Sequence, residues 1–170
     1  AIPDRAIMSV IVKESEKEKA MAVISGCASE MKSEYAVSDP GLEVVHSECD
    51  VQHVVAKEGG RVVTDFMNSV YNGVVRMSDA VPGLVETSTN VGIAKCDGGR
   101  FDIHISTRSA VESEKVATND SIRSIARLSG IEISPSGAYP GWKPNVGSKL
   151  LELTKKLYLD LFSKEPKVVA

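Results

Sequence analysis

Two alternating runs of apolar and polar residues dominate the chain, one on each side of Asp97-Gly98-Gly99 within the stretch Val81 to Ser109. Strand side chains point to opposite faces with period two, so two such runs around a Gly-containing loop read as a β-hairpin. A three-residue loop pairing Cys96 with Arg100 sets Ile93 against Ile103, Val91 against Ile105 and Thr89 against Thr107. One face is then apolar and calls for helices over it. The other carries Glu86, Ser88, Asn90, Gly92 and Ala94 beside Asp102, His104, Ser106 and Arg108, and it is where the chain gathers its chemistry.

Before the hairpin, Ala6 to Val12 alternates apolar residues on both sides and is expected to be a strand away from a sheet edge. Ser15 and Glu18 have capping-box spacing for a helix with Ala20, Ile24, Cys27, Met31 and Tyr35 on one stripe. Asp39-Pro40-Gly41 turns the chain into a second expected strand, Leu42 to about Cys49. No pattern reads clearly from Asp50 to Gly60. Val62, Val63, Phe66, Met67 and Val70 then fall at helical spacing, with Asn72-Gly73 as the stop.

After the hairpin, Ser109 and Glu112 make a second capping box. The helix it opens is expected to bury Val116, Ile122, Ile125, Ala126 and Leu128 and to stop at Gly130. Ile131 to Ser134 reads as a short strand and Pro135 to Pro144 as a loop. Ser148 caps a last helix with Leu150, Leu153, Leu157, Leu161 and Phe162 along one side, closed by Pro166. Helices alternating with antiparallel strands predict an α+β fold with one sheet covered on one face. The best boundary is the loop from Tyr139 to Pro144.

Composition narrows the function. Hydrophobic content of 42% and charged content of 25% are ordinary for a globular domain, and 170 residues can bury one core with an appendage. A net charge of -3 argues against a general nucleic-acid binder, and no apolar run approaches the length of a membrane span. Cys27, Cys49 and Cys96 are odd in number and widely spaced, which points to a reducing, cytoplasmic setting. The chain starts at Ala1 without a methionine and reaches Lys167-Val168-Val169-Ala170 as a strand is starting, so a segment of something longer is expected.

Each candidate for chemistry has a plain counterpart. His46, Cys49 and His53 are zinc-ligand types, but their spacing fits no standard finger, and a strand-end cysteine between two surface histidines is the better reading. His104, with Asp102 and Ser106 on one strand face, lacks a third group to orient the imidazole, so catalysis by it is disfavoured. Arg108 keeps two readings: an exposed cross-strand ion pair with Glu86, or a guanidinium fork for a carboxylate ligand. Gly98-Gly99 is hairpin chemistry, since no helix follows it to hold a phosphate.

Several segments carry a family resemblance: Ala1-Ile2-Pro3, Arg76-Met77-Ser78, Gly83-Leu84-Val85-Glu86-Thr87-Ser88, Asn90-Val91-Gly92, Arg108-Ser109 and Gly137-Ala138-Tyr139-Pro140-Gly141-Trp142-Lys143-Pro144. In this order they resemble the bacterial aminoacyl-histidine (Xaa-His) dipeptidases, a branch of the two-zinc exopeptidases that includes carnosinase and peptidase T. The resemblance implies a ferredoxin-like lid that is inserted into a two-zinc catalytic domain, carries the dimer contact and closes over the dipeptide. Residues 1–138 then correspond to a partial lid, beginning after its first strand and helix, and residues 139–170 to the crossover loop and the returning helix of the catalytic domain. None of the family's zinc ligands, its general base or its lid histidine maps onto this chain. Arg108 matches a lid arginine that contacts the C-terminal carboxylate of the dipeptide, Asn90 matches a neighbouring polar lid position, and Trp142 is expected to pack at the hinge.

The resemblance thus implies a lid and dimerisation segment of a cytoplasmic zinc dipeptidase, with two zinc ions held elsewhere in the parent and none by this chain. It implies a dipeptide substrate and a homodimer, with no nucleic-acid or membrane partner. The alternative is a stand-alone α+β dimerisation or small-ligand-binding module. Such a module should have closed ends and a satisfied last helix, whereas a segment should leave the apolar side of Leu150 to Phe162 exposed or packed against a neighbouring copy.

Overall fold

The hairpin forms, with a tighter tip and a phase slip that the alternation did not reveal. In this computed structural model, which describes residues 4–51 and 53–167, strand β2 (Val85–Asp97) pairs antiparallel with strand β3 (Arg100–Ser109). Asp97 pairs with Arg100, so the loop is Gly98-Gly99 alone. Their φ values of 56° and 81° place both in the left-handed region that a two-residue hairpin turn with strand-matching twist requires. Near the body of the sheet the expected register holds, with Val91 opposite Ile105 and Thr89 opposite Thr107. A bulge at Gly92 then shifts the outer half by one residue, so Ile93 faces His104 and Ala94 faces Ile103. Directly opposed residues share a face, so Ile93 moves to the polar side and Ala94 to the apolar side, the reverse of the expectation. Ile93 is accordingly 48% exposed.

A third strand, β1 (Gly73–Met77), which the sequence reading left out, pairs with β2 on its other side and gives the order β1-β2-β3. Its apolar signal is only Val74-Val75, too short for a period to show. Non-ladder bonds fix the join: Asn72 Oδ1 accepts the Val91 N–H at 2.7 Å, and Thr89 Oγ1 donates to the Tyr71 carbonyl.

Helices α2 (Lys57–Ser69) and α3 (Glu112–Leu128) supply most of the core of this unit: Phe66 from one, with Val70 directly after it, and Ile122 and Ala126 from the other. Val91, Ile103, Ile105, Ile125 and Ile131 pack against them, so one sheet face is covered, as the α+β reading expects. Val116 and Leu128, expected inside, are 48% and 86% exposed. Each lies six residues from Ile122, about 120° round the helix at ~100° per residue, and so off the buried face.

Neither capping box forms. Helix α1 (Lys17–Glu34) follows a 3-10 turn at Glu14–Glu16, and its N-cap Glu16 makes no side-chain cap bond. The N-cap of α3 is Val111, and the Ser109 hydroxyl bonds Thr87 Oγ1 at 2.8 Å and accepts the Val111 N–H at 3.0 Å instead. The end of α3 is closed by the expected glycine. Gly130 has φ 68°, its N–H donates to the Arg127 carbonyl at 3.2 Å, and that of Ile131 reaches Ala126 at 2.8 Å, a Schellman motif. The strand expected at Ile131 to Ser134 does not form, because Ile131 turns in to the core directly after this cap.

Helix α4 (Lys149–Phe162) starts at Ser148 as expected, without a side-chain cap bond, and ends at Ser163 rather than at Pro166. Its apolar side is open: Leu150 is 71% exposed, Leu161 76% and Phe162 59%. The strand expected to start at Lys167 would occupy Val168 to Ala170, outside the described residues, as are Ala1-Ile2-Pro3.

Residues Arg5–Val55 form a separate unit. It contains α1 and the expected turn, in which the Leu42 N–H donates to the Asp39 carbonyl at 3.1 Å. The strands expected at Ala6 to Val12 and Leu42 to Cys49 are absent, and Ile7 and Met8 are more than 80% exposed. Alternation assigns faces to a segment and gives it no partner; without a ladder a strand's backbone groups stay with water. The two arms touch through Cys49 Sγ and Ser9 Oγ at 3.8 Å, and Glu48 Oε1 meets Lys17 Nζ at 2.6 Å. On α1, Ala20 and Ile24 are half-buried with Met21 and Ala28, while Cys27, Met31 and Tyr35 of the expected stripe are exposed.

Candidate functional site

The polar face of the hairpin brings Arg108 opposite Ser88 and Asn90 opposite Ser106. Alternation sends Arg108 outward because Thr107 and Ser109 turn in, the latter held by Thr87. Arg108 is exposed and makes no ion pair among the described residues. Its expected partner, Glu86, is engaged elsewhere: Arg76 Nε lies 3.3 Å from Glu86 Oε1, and the same guanidinium reaches Asp79 at 2.7 Å and Glu114 at 3.0 Å. The hydrogen bond to Asp79 and its charge, then Glu114 and Glu86, hold Arg76 even more firmly protonated than usual. Of the two readings of Arg108, the ion pair with Glu86 is therefore not formed.

Beside β3 runs a groove of about 620 Å³ between the strand, α3 and residues 131–139. Its floor is apolar, with Phe66, Ile105, Ile122 and Ala126, and its cations are Arg108, Lys115 and Arg123. No Asp or Glu is among its described lining residues. Lys115 and Arg123 are paired with Glu112 at 2.8 Å and Asp120 at 2.7 Å, which leaves Arg108 as the cation open to an anionic ligand.

The other candidates are not assembled for chemistry. Asp102 is bound by Arg100, Nη2 to Oδ1 at 2.8 Å, and His104 is exposed. His46, Cys49 and His53 are exposed, and the described residues contain no group of three His, Cys, Asp or Glu side chains that could hold a metal ion. The chain's own described residues therefore do not fit a zinc centre. Trp142, expected at a packed hinge, is 76% exposed. The residues that sequence reading missed are Arg76 and Gly141. Arg76 has no signal beyond its charge, because the acids it joins lie up to 38 positions away; Gly141 showed only as part of a loop motif.

The fold is α+β, with Arg108 exposed on the polar face of the sheet. The chain is 29% identical over 170 residues to the cytosol non-specific dipeptidase of Escherichia coli (strain K12), covering 99% of this chain and 35% of that one. The crystal structure of aminoacylhistidine dipeptidase from Vibrio alginolyticus matches with a TM-score of 0.85 at 28% identity, covering 91% of this chain and 32% of the other. This chain thus spans about a third of the length of these relatives. No protein-family model matches it. No described helix is long and apolar enough to cross a membrane.

Proposed function

We propose that this chain is the lid and dimerisation segment of a cytoplasmic zinc dipeptidase acting on Xaa-His and related dipeptides, and that Arg108 receives the substrate's C-terminal carboxylate. The observation that carries the reading is the fold match, a TM-score of 0.85 over 91% of the chain at 28% identity to an aminoacylhistidine dipeptidase. Residues 1–138 are the lid part in this reading. Residues 139–170 cross back to the catalytic domain, whose surface covers the open leucines of α4.

The zinc ions, supplied elsewhere in the parent protein, would activate the water that attacks the peptide bond. This chain's share is binding and orientation. A dipeptide carries one terminal carboxylate, and a planar guanidinium takes both its oxygens at once, fixing distance as well as charge. Arg108 supports that role through its exposure and its lack of an ion pair among the described residues, with Asn90 a polar neighbour on the same face. Holding the carboxylate at a set distance turns positioning into rate, since misplacement of a reacting group by about 1 Å can cost roughly 100-fold.

The test is Arg108→Met in the full-length protein, which keeps most of the volume and removes the fork. We expect kcat/KM for free dipeptides to fall by about 2–4 kcal/mol in transition-state terms. C-terminally amidated dipeptides should be poor substrates of the wild type and lose little more in the variant. An unchanged kcat/KM for free dipeptides would refute the carboxylate role, and absence of any dipeptide hydrolysis by the zinc-loaded parent would refute the family reading.

A further inference from the structure

Gly141 sits where no other residue fits. A Cβ built on it would stand 2.6 Å from the carbonyl oxygen of Ser109 and 3.0 Å from the carbonyl carbon and oxygen of Ala110. These are backbone atoms, so the conflict cannot be relieved by rotating a side chain. The loop therefore lies directly on the corner where β3 becomes α3, one residue beyond Arg108.

Independent bonds hold it there. Lys115 Nζ donates to the Tyr139 carbonyl and pairs with Glu112 Oε2 at 2.8 Å, and the Gly141 N–H points to the same carboxylate oxygen at 3.5 Å. Lys115 is well enclosed, with only 15% of its side chain exposed. The corner is tied from its other side as well: the Ser109 hydroxyl meets Thr87, and the Ala110 N–H donates to the Glu86 carbonyl at 2.9 Å. Loop, corner and central strand are thus joined through one peptide, Ser109–Ala110. Beyond Gly141 the described residues 142–144 make no comparable bonds, and the chain is next pinned where the Ser148 N–H donates to the Asn145 carbonyl at 3.2 Å.

We propose that Gly141, clamped by Lys115 and Glu112, is a positioning residue for Arg108: close seating of the loop on the Ser109 carbonyl fixes the end of β3 from which the guanidinium projects. The proposal rests on the reading that Arg108 meets the substrate carboxylate. A methyl group at position 141 must push back the loop or the Ser109–Ala110 corner; the first withdraws the loop's support from the end of β3, and the second displaces the base of the Arg108 side chain. Only the part of the transition state held through the carboxylate should suffer, so the effect is selective for the substrate's C-terminus.

The experiment compares wild type, Gly141→Ala, Arg108→Met and the double variant in the full-length, zinc-loaded protein, with free and C-terminally amidated dipeptides. We expect Gly141→Ala to lower kcat/KM for free dipeptides at least tenfold and to change the amides less than twofold. The double variant should be no worse than Arg108→Met alone, because both changes remove one interaction. Equal losses on free and amidated substrates, or losses that add in the double variant, would overturn the proposal. If Arg108→Met alone has no effect, the carboxylate reading has failed and the proposal falls with it; if Arg108→Met is impaired and Gly141→Ala is not, only the proposal has failed. Should Gly141→Ala fold poorly, Lys115→Met serves in its place, with Lys115→Arg expected to recover at least half of the lost selectivity; failure of that rescue also counts against the clamp.

Discussion

Arg76 holds Glu86, Nε to Oε1 at 3.3 Å, although Arg108 is the hairpin arginine diagonal to it on the same face. Only 12% of the Glu86 side chain is exposed, and Arg76 is the cation that meets it there. Arg76→Met should therefore destabilise the fold by about 1–3 kcal/mol, the cost of leaving a mostly buried acceptor unpaired. The exposed Asp79 arm adds little. Arg108→Met should leave stability within about 0.5 kcal/mol of wild type, as for a surface position. Chemical denaturation of the two variants side by side measures the difference; equal losses would mean that Glu86 is shared.

The bulge at Gly92 separates two isoleucines that a regular ladder would place on one face. Ile105 packs against the core and Ile93 does not. Ile105→Ala should cost about 2 kcal/mol, the low end for a large-to-small change because the side chain is only half-buried, and Ile93→Ala less than about 0.5 kcal/mol. Urea midpoints decide it, and a larger loss at Ile93 would restore the unbroken register.

Gly130 is left-handed at φ 68° and closes α3 through the two bonds of its Schellman motif. Gly130→Ala adds a Cβ to that conformation and should cost about 1–2 kcal/mol. Nothing lies within 4 Å of the added carbon, so the whole loss is backbone strain. A neutral result in thermal unfolding would show that the helix end re-forms without the left-handed residue.

Acid should release the loop. The Glu112 carboxyl is held below the ordinary glutamate value, first by its hydrogen bond from Lys115, which outweighs the opposing effect of burial, and then by the Gly141 N–H and the Lys115 charge. A carboxyl whose folded-state value is depressed stabilises fully above its unfolded value, near pH ~4.3, and loses that contribution as pH falls through the lower folded value. The chain's one tryptophan, Trp142, follows Gly141 directly and reports on the loop. Its anisotropy should be steady from pH 7 to 5 and drop below about pH 4 while helical circular dichroism persists. Glu112→Gln should show the low value already at pH 7. A wild type and a variant with superimposable profiles would remove Glu112 from the clamp.

What could be read from the chain follows from what each pattern encodes. Period two showed that β3 has an inner Ile103 and Ile105 and an outer His104, and the glycine pair marked the tip. The bulge escaped because Gly92 has no side chain to betray which face it takes. The 3.6 period found α2 and most of α3, yet counted Val116 and Leu128 as buried when they lie off the face set by Ile122 and Ala126. Capping boxes failed where Ser109 had a nearer partner in Thr87, a long-range contact that no local window contains. At the candidate site, Arg108 and Asn90 were placed on their face by alternation alone. The Arg76 cluster and the seat of Gly141 include contacts across 38 and 29 positions, and local pattern is blind to those.

The slip at Gly92 also makes the hairpin two paddles in series, each with its own front and back. Inward of the slip, a change of register would move Arg108 and Thr107 together, because one ladder governs both. Outward of it, Lys95, Asp97 and Arg100 answer to a separate phase. The tip can therefore be recomposed, lengthened or recharged without re-aiming the arginine at its base.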